Sequence, residues 1–510
     1  MLDANETERT DSLIGTTRPH AVVIGSGFGG LAAAIRLGAR GYRVTVLERL
    51  DQAGGRARVF RQDGFTFDAG PTIITAPFLF EDLWKLCGRK LADDVTLKPL
   101  DPFYRIVFDD QGQIDCRAGE QDMNAEVARI SPEDVDGYAR FMQHSEAIYR
   151  VGFEQLGHVP FGSIGDMARV APELLRLGGY RSVYDTACKY VRDPRLRFAL
   201  SFHPLFVGGS PFATTSVYCL ISFLERKWGV HFAMGGTGAL VRGMVELIRR
   251  QGGTMRYGAD VAEITVDRGR ATGARLSTGE FIDADIVVSN ADAAFTYGTL
   301  LSRQPKRRWN NRKLSNARYS MSLFVWYFGT RKKYDSVPHH TILLGPRYRP
   351  LINDIFDRKV LADDFSLYLH RPSASDSSLA PDGHDCFYVL SPVPHQDSGI
   401  DWKVRADSYR RAIAQRLSER LMPGFEREIV TSRMMTPRDF ENDLLSVKGA
   451  AFGLEPRLTQ SAWFRPHNRS EDVENLFLVG AGTHPGAGVP GVLSSARVLD
   501  TVVPDASTFR

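Results

Sequence analysis

The residues best suited to chemistry in this chain are glycines. Val22-Val-Ile-Gly-Ser-Gly-Phe-Gly-Gly-Leu31 sets Gly25, Gly27 and Gly30 between an apolar run, His20 to Ile24, and a helical pattern that starts at Leu31. Glycine lets the backbone turn this tightly and approach a pyrophosphate, which then sits on the positive end of the following helix. A second apolar run, Arg43 to Leu47, ends at Glu48, whose carboxylate is placed to accept hydrogen bonds from a ribose diol. The chemistry on offer is dinucleotide binding. A strand-to-helix turn of purely steric origin could carry the same glycines, but here strand, glycines, helix and acid follow in order. Both NAD and FAD are bound by such a unit, so these residues alone do not choose between them.

The next segments do. Asp51-Gln-Ala-Gly-Gly-Arg-Ala57 and Phe65-Thr-Phe-Asp-Ala-Gly-Pro71 resemble the extended motif of the amine-oxidase-like flavoproteins. Paired glycines allow close backbone approach, and Arg56 offers a fixed fork of donors to phosphate oxygens. The resemblance implies that Gly55 and Arg56 lie along the phosphates of FAD and that Asp68 and Gly70 lie beside the flavin. At the other end of the chain, Leu476-Phe-Leu-Val-Gly-Ala-Gly-Thr-His-Pro-Gly-Ala-Gly-Val-Pro-Gly491 is similar to the signature of the bacterial-type phytoene desaturase family. Trp228-Gly-Val-His-Phe-Ala-Met-Gly-Gly-Thr-Gly-Ala-Leu240, Ser289-Asn-Ala-Asp292 and Leu458-Thr-Gln-Ser-Ala-Trp-Phe-Arg-Pro-His467 extend that similarity over most of the chain. It implies that Gly482, Gly488 and Val489 serve the flavin ribityl and ring, and that Val261 touches the adenine. A helix from about Val492 can aim its positive end at the isoalloxazine when the reduced flavin is anionic. Many related flavoproteins carry an Asp for a ribityl hydroxyl where this chain has Ala481-Gly482-Thr483, so that contact does not carry over.

The elements that must position these groups give an α/β plan: a Rossmann-like FAD-binding domain of the two-dinucleotide-binding-fold type, with discontinuous substrate-binding and helical lobes. Residues 20–100, 231–300 and 441–502 are assigned to the FAD-binding domain. Residues 101–230 and 301–440 are assigned to substrate, helical and membrane-facing lobes, residues 1–19 to a disordered leader and residues 503–510 to a tail. Phe198 to Leu224 contains no Asp, Glu, Lys or Arg, yet Pro204, Gly208, Gly209 and Pro211 interrupt any spanning helix. It reads as a buried core element or as the wall of a long apolar cavity, and sequence does not separate the two.

Composition restricts the alternatives. A net charge of +4 without a basic block gives no footprint for nucleic acid, and the basic run Arg303 to Arg312 reads as a solvated face. The five cysteines are scattered without paired spacing, which argues for a reducing compartment and against a disulfide framework or a zinc site. The polar start lacks the apolar core of a secretory signal, so the expected location is the cytoplasm. No Ser-His-Asp order, HExxH or P-loop supports hydrolytic or metal chemistry. His339-His340 reads as a surface pair rather than a ligand pair, because neighbouring residues point to different faces, and no metal is expected.

Removing hydrogen from a hydrocarbon sends a hydride to the flavin and a proton to a base. Asp166 and Arg169, three residues apart at a helix start, resemble in position a polar pair proposed in the family to act beside the flavin. The same two residues would also serve as a helix cap with a surface Arg. The resemblance implies FAD-dependent insertion of several double bonds into 15-cis-phytoene, towards neurosporene or lycopene. Related flavoenzymes acting on another carotenoid (a hydroxylated or C30 desaturase, an isomerase or a ketolase) remain open, as does a non-catalytic prenyl-lipid carrier on the same fold. The implied partners are a long apolar polyene, a membrane surface touched peripherally, and a quinone or oxygen as terminal acceptor. Self-association into a homo-oligomer stays open.

Overall fold

A computed structural model describes residues 18–509. The leader expected over residues 1–19 therefore lies outside the described residues, apart from Arg18 and Pro19. One parallel sheet orders the strands Leu476–Leu478, Ile286–Ser289, His20–Ile24, Arg43–Leu47 and Thr254–Arg256. The central strand His20–Ile24 is buried along its whole length, which explains its unbroken apolar run. Ala21 and Val23 face helices, and Val22 and Ile24 face a three-stranded antiparallel sheet, Val261–Asp267, Arg270–Leu276 and Phe281–Asp283, and a parallel strand covered on both faces has no solvent side to fill with polar residues. Helix Phe28–Ala39 is buried through most of its length, and its small side chains let helices Thr237–Arg250 and Val489–Val502 pack against it. The sheet thus joins strands from near both ends of the chain.

A second, seven-stranded sheet runs Ile429–Met435, Ser322–Thr330, Asp385–Val393, Leu367–His370, His340–Leu343, Tyr104–Val107, Gln113–Cys116. All its pairings are antiparallel except Tyr104–Val107 with His340–Leu343. Strand Ser322–Thr330 is buried at every position because both faces of the sheet are covered. Phe324, Trp326 and Phe328 pack with Trp402 and Leu417 of helix Trp402–Arg420, whereas Leu323, Val325 and Tyr327 face the main core. Period-two alternation therefore sorts this strand between two apolar layers instead of between core and water.

The same double covering overturns the reading of His339-His340 as a surface pair. Both are buried. His340 stands opposite His370 in the ladder, Nε2 of His339 lies 3.1 Å from Nε2 of His370, and Nδ1 of His340 lies 2.7 Å from the Tyr368 hydroxyl. Nitrogen atoms of the three rings lie within 4.8 Å of one another, and the cluster holds itself by these hydrogen bonds.

Phe198 to Leu224 breaks where its prolines and glycines fall. It gives a short helical turn His203–Val207, a second turn Ser216–Cys219, and then helix Leu220–Trp228. No helix among the described residues is long and apolar enough to cross a membrane. At the far end, residues beyond 502 dock rather than hang free. Arg40 donates to the Val503 and Pro504 carbonyls at 2.8 and 3.0 Å, and Phe509 packs edge-on against Tyr42.

Candidate functional site

Gly25, Glu48, Asn290 and Gly480 each lie just beyond the carboxyl end of a parallel strand, and all four line one cavity of about 550 Å³. That is where open α/β sheets bind ligands. The two glycine-rich segments meet here. A Cβ added at Gly29 would stand 3.0 Å from Cα of Gly480 and 2.6 Å from Oδ1 of Asn290, so the amino-terminal turn and the carboxy-terminal signature are in direct contact.

Gly27 is the N-cap of helix Phe28–Ala39 and Gly488 is the N-cap of helix Val489–Val502, and neither end carries a side-chain cap. Unpaired N–H groups and the positive ends of two helices therefore open on one cavity. Glu48 is buried and held still. Its Oε2 accepts from the Ser26 amide at 2.9 Å and the Ser26 hydroxyl at 2.5 Å, and its Oε1 accepts from the Leu50 amide at 2.9 Å. Oε1 keeps a free lone pair for a diol. Arg56 donates through Nη2 to Ser446 Oγ at 2.9 Å, while its Nε is buried without a partner. Burial pushes the carboxyl of nearby Asp292 above its usual range, and the charge of Arg56 opposes that rise. Val261 lines the same cavity beside Ala259 and Asp260.

These observations fit a flavin dinucleotide: an acid at the ribose end, uncapped amides and an unsatisfied guanidinium at the pyrophosphate, and a second helix end farther on. Gly25, Gly27, Gly55, Gly70, Gly488 and Val489 also line the cavity. Gly30 lies behind the lining, where a Cβ would meet the Gly25 carbonyl oxygen at 2.0 Å; it is the residue that lets helix and strand close. Gly482 likewise serves packing, since a Cβ there would stand 2.7 Å from Cβ of Ala293.

Besides Gly30 and Gly482, three further expected site residues are placed elsewhere. Asp68 does not face the cavity: its carboxylate accepts the Thr237 and Gly238 amides at 3.0 and 3.4 Å, capping helix Thr237–Arg250. Burial raises its pKa to about 6, and the two amide hydrogen bonds partly offset the rise. Asp166 and Arg169 are corrected in the same way. Asp166 accepts from the Ser163 amide and hydroxyl at 2.9 Å and forms a capping box at the start of helix Ile164–Arg176. Arg169 is exposed, with its guanidinium 3.7 Å from Asp166, and neither residue lines the cavity. The hydrogen bonds to Ser163, more than the neighbouring Arg169, hold Asp166 below the usual carboxylate range. A short acid at the third position of a helix satisfies its own backbone more readily than a distant ligand.

Sequence reasoning also passed over residues the cavity uses. Ser26 positions Glu48, and Asn290 packs between the two glycine segments. Glu225 of helix Leu220–Trp228 lines the cavity from the helical lobe. The available signal for Glu225 was its position, the first charged residue after the charge-free stretch from Phe198 to Leu224.

Apart from Glu225 and a few hydroxyl side chains, the remainder of the cavity is apolar. Its walls come from the helical lobe, through Phe153, Leu205, Phe206 and Leu224, and from the seven-stranded sheet, through Leu323, Val325 and Ile342. Phe198 to Leu224 is thus both core and cavity wall. No partition separates this space from the dinucleotide cradle.

Comparison with known proteins agrees with this geometry. The family model described as flavin containing amine oxidoreductase matches residues 28–498, and the chain belongs to that family. Within it, the chain falls with the bacterial phytoene desaturases. It is 51% identical over 495 residues to the neurosporene-forming phytoene desaturase of Cereibacter sphaeroides, covering 96% of this chain and 95% of that protein. It is 50% identical over 483 residues to the lycopene-forming phytoene desaturase of Pseudescherichia vulneris, covering 94% and 98%. Among solved structures, an engineered putrescine oxidase superposes with a TM-score of 0.66 at 12% identity, covering 96% of this chain and 99% of that one. An oxidoreductase from Methanosarcina mazei gives 0.61 at 18% identity, covering 95% and 100%. These two likenesses concern the fold. The cofactor of the family is a flavin, and the FAD expectation stands.

The role of Glu48 is directly testable. Glu48→Ala removes a charge-assisted hydrogen-bond acceptor and should weaken FAD binding by about 1.5 to 3 kcal/mol. Titration of apoprotein with FAD, followed by flavin fluorescence, reads this; unchanged affinity would remove Glu48 from the site.

Proposed function

We propose that this chain is an FAD-dependent carotenoid desaturase that introduces several double bonds into 15-cis-phytoene, towards neurosporene or lycopene. One observation carries the reading: a complete dinucleotide cradle opens without a partition into a long cavity lined almost wholly by aliphatic and aromatic side chains. Bound FAD supplies hydride acceptance. The chain's own residues hold the dinucleotide, keep water from the reacting carbons and align a polyene that offers no polar handle. A lipid carrier would not require the uncapped helix ends and the fixed Glu48, so the intact cradle weighs against that alternative.

Peripheral membrane attachment is part of the proposal. Helix Ile164–Arg176 contains no buried residue. Ile164 and Leu175 are 69% and 59% exposed, while Met167 and Leu174 of the same helix line the cavity. A helix that shows apolar side chains both outward and into the cavity suits a mouth lying on lipid, where the substrate dissolves. The same mouth would admit a membrane quinone as terminal acceptor, with oxygen as the other candidate.

Purified protein loaded with FAD and mixed with phytoene-bearing liposomes should convert phytoene into neurosporene or lycopene, resolved by reverse-phase chromatography. It should also sediment with the vesicles and come off in carbonate or high salt. Absence of any coloured product would remove the desaturase reading, and release only by detergent would replace peripheral attachment with insertion.

A further inference from the structure

Among the described residues, the helical and sheet lobes, 101–230 and 301–440, contribute one charged-type side chain to the cavity lining, Glu225. It is 3% exposed. Oε2 accepts from Nε2 of His203 at 3.0 Å, whereas Oε1 is buried and has no partner. No Arg or Lys forms an ion pair with it. Its surroundings are Tyr104 and Cys116, both pushed well above their ordinary pKa ranges by burial first and by the charge of Glu225 second, and the Tyr104 hydroxyl stands close enough to interact with the carboxylate without forming a well-aligned hydrogen bond to it; they stay neutral and lend it no positive charge. A buried carboxylate with an open oxygen costs several kcal/mol unless something occupies that oxygen.

The position relative to the cradle is fixed by aromatic packing. Phe206 stands between Tyr104 and Tyr368, with ring centroids 6.3 and 6.0 Å away. Tyr368 in turn lies 3.1 Å from the Thr72 hydroxyl, in the turn that follows Gly70. Glu225 is therefore linked to the turn after Gly70 through the rings of Tyr104, Phe206 and Tyr368, and it lines the same cavity as that turn.

We propose, building on the desaturase reading, that Glu225 is the catalytic carboxylate that receives the proton of each desaturation. One C–H bond of the polyene breaks with its electron pair leaving as hydride to bound FAD. The adjacent carbon is left electron-poor, and the unpartnered Oε1 stabilises that charge. The C–H bond on the neighbouring carbon then breaks, its proton goes to Oε1, and its electron pair becomes the second bond of the new C=C. The substrate loses two hydrogens in all, one as hydride and one as proton. His203 is a positioning residue that orients the carboxylate through Oε2 and leaves Oε1 to the substrate.

The competing explanation is that Glu225 and His203 only pin helix Leu220–Trp228 to the turn His203–Val207. Glu225→Gln separates the two, because the amide oxygen still accepts from His203 while the charge and the basic oxygen are gone. The experiment uses FAD-loaded protein in two measurements. Single-turnover flavin reduction by phytoene should slow by about 10² to 10⁴. Binding of a polyprenyl tertiary ammonium probe, compared with a neutral polyprenyl hydrocarbon of equal length, should lose its preference for the cation, falling by roughly tenfold or more, with the affinity for the neutral chain unchanged. A folded glutamine variant that binds the ammonium probe as wild type does overturns the proposal whatever its rate, and so does one that reduces flavin within about threefold of wild type. Should the glutamine variant not fold, Glu225→Asp takes its place; it keeps the charge but withdraws the oxygen, so probe affinity should persist while flavin reduction slows, and an unchanged rate overturns the proposal. If wild type prefers the cation through Glu225 yet leaves phytoene untouched, the carboxylate assignment stands and phytoene as the substrate falls.

Discussion

Gly30→Ala is expected to yield protein without bound flavin. The added Cβ would stand 2.0 Å from the carbonyl oxygen of Gly25 and 3.1 Å from Cβ of Asn290. The carbonyl oxygen belongs to backbone that cannot retreat. Gly25 has φ +89°, and its amide donates to the Leu47 carbonyl at 2.7 Å, which ties the turn to the next strand. Relief requires the first turn of helix Phe28–Ala39 to lift off the sheet. That same turn presents the uncapped amides to the pyrophosphate, so relieving the clash moves the binding groups. Overpacking a core position typically costs about 1 to 3 kcal/mol, and a backbone contact this close belongs at or beyond the upper end. The measurement is the molar ratio of FAD to protein after reconstitution. Gly165→Ala is a suitable control, because the nearest heavy atom to its Cβ would be 3.5 Å away. Stoichiometric FAD in the Gly30 variant would show that helix and strand are not packed as described.

The dinucleotide cradle was legible from sequence because its chemistry is local. A turn between a strand and a helix, with an acid at the end of the next strand, is specified within a few residues. The parallel sheet then brings those segments together with Asn290 and Gly480. Asp68 and Asp166 share one ambiguity: a short acid that can bind a ligand can equally accept backbone amides, and in both cases amides at a helix start occupy the carboxylate, the capping reading that the sequence leaves open for Asp166. The His339-His340 pair failed differently. Adjacent residues point to different faces, which suggests a surface pair, but both faces here are covered and both rings are buried. For Glu225 the sequence offers only its position after the charge-free stretch, because its setting depends on His203 and on Tyr104, which only the folded helical lobe brings to it. Position relative to the cavity, not residue type, separates these cases.

Acid should destabilise the fold well before carboxylates of ordinary pKa are protonated. Burial holds His339 neutral down to about 3 and His484 down to about 4. The same cause, joined by the neighbouring rings, keeps His340 and His370 well below the ordinary value of 6.5. In the unfolded chain each of these rings titrates near 6.5, so below that pH the unfolded state binds more protons than the native state. Stability is therefore fully present above about pH 6.5 and is lost as pH falls towards the folded values. The loss is about 1.4 kcal/mol per pH unit for each ring, or about 2 kcal/mol apiece by pH 5. Asp68 acts in the opposite sense. Its folded pKa of about 6 lies above the ordinary 3.8, so its ionised form costs stability at neutral pH, and that cost is relieved as pH falls between those values. The relief is bounded at about 3 kcal/mol, less than the combined loss from four rings. The expected result is a melting temperature that drops steadily from about pH 6.5 to 5, measured by scanning calorimetry of FAD-loaded protein. In Asp68→Asn the share of opposing relief that Asp68 supplies is gone, leaving that of Asp292 and Glu455, so the decline should steepen over the same interval. A melting temperature that is flat or rises towards pH 5 would mean that the buried rings carry charge in the native state, and with it that the histidine cluster on the seven-stranded sheet is paired otherwise than described.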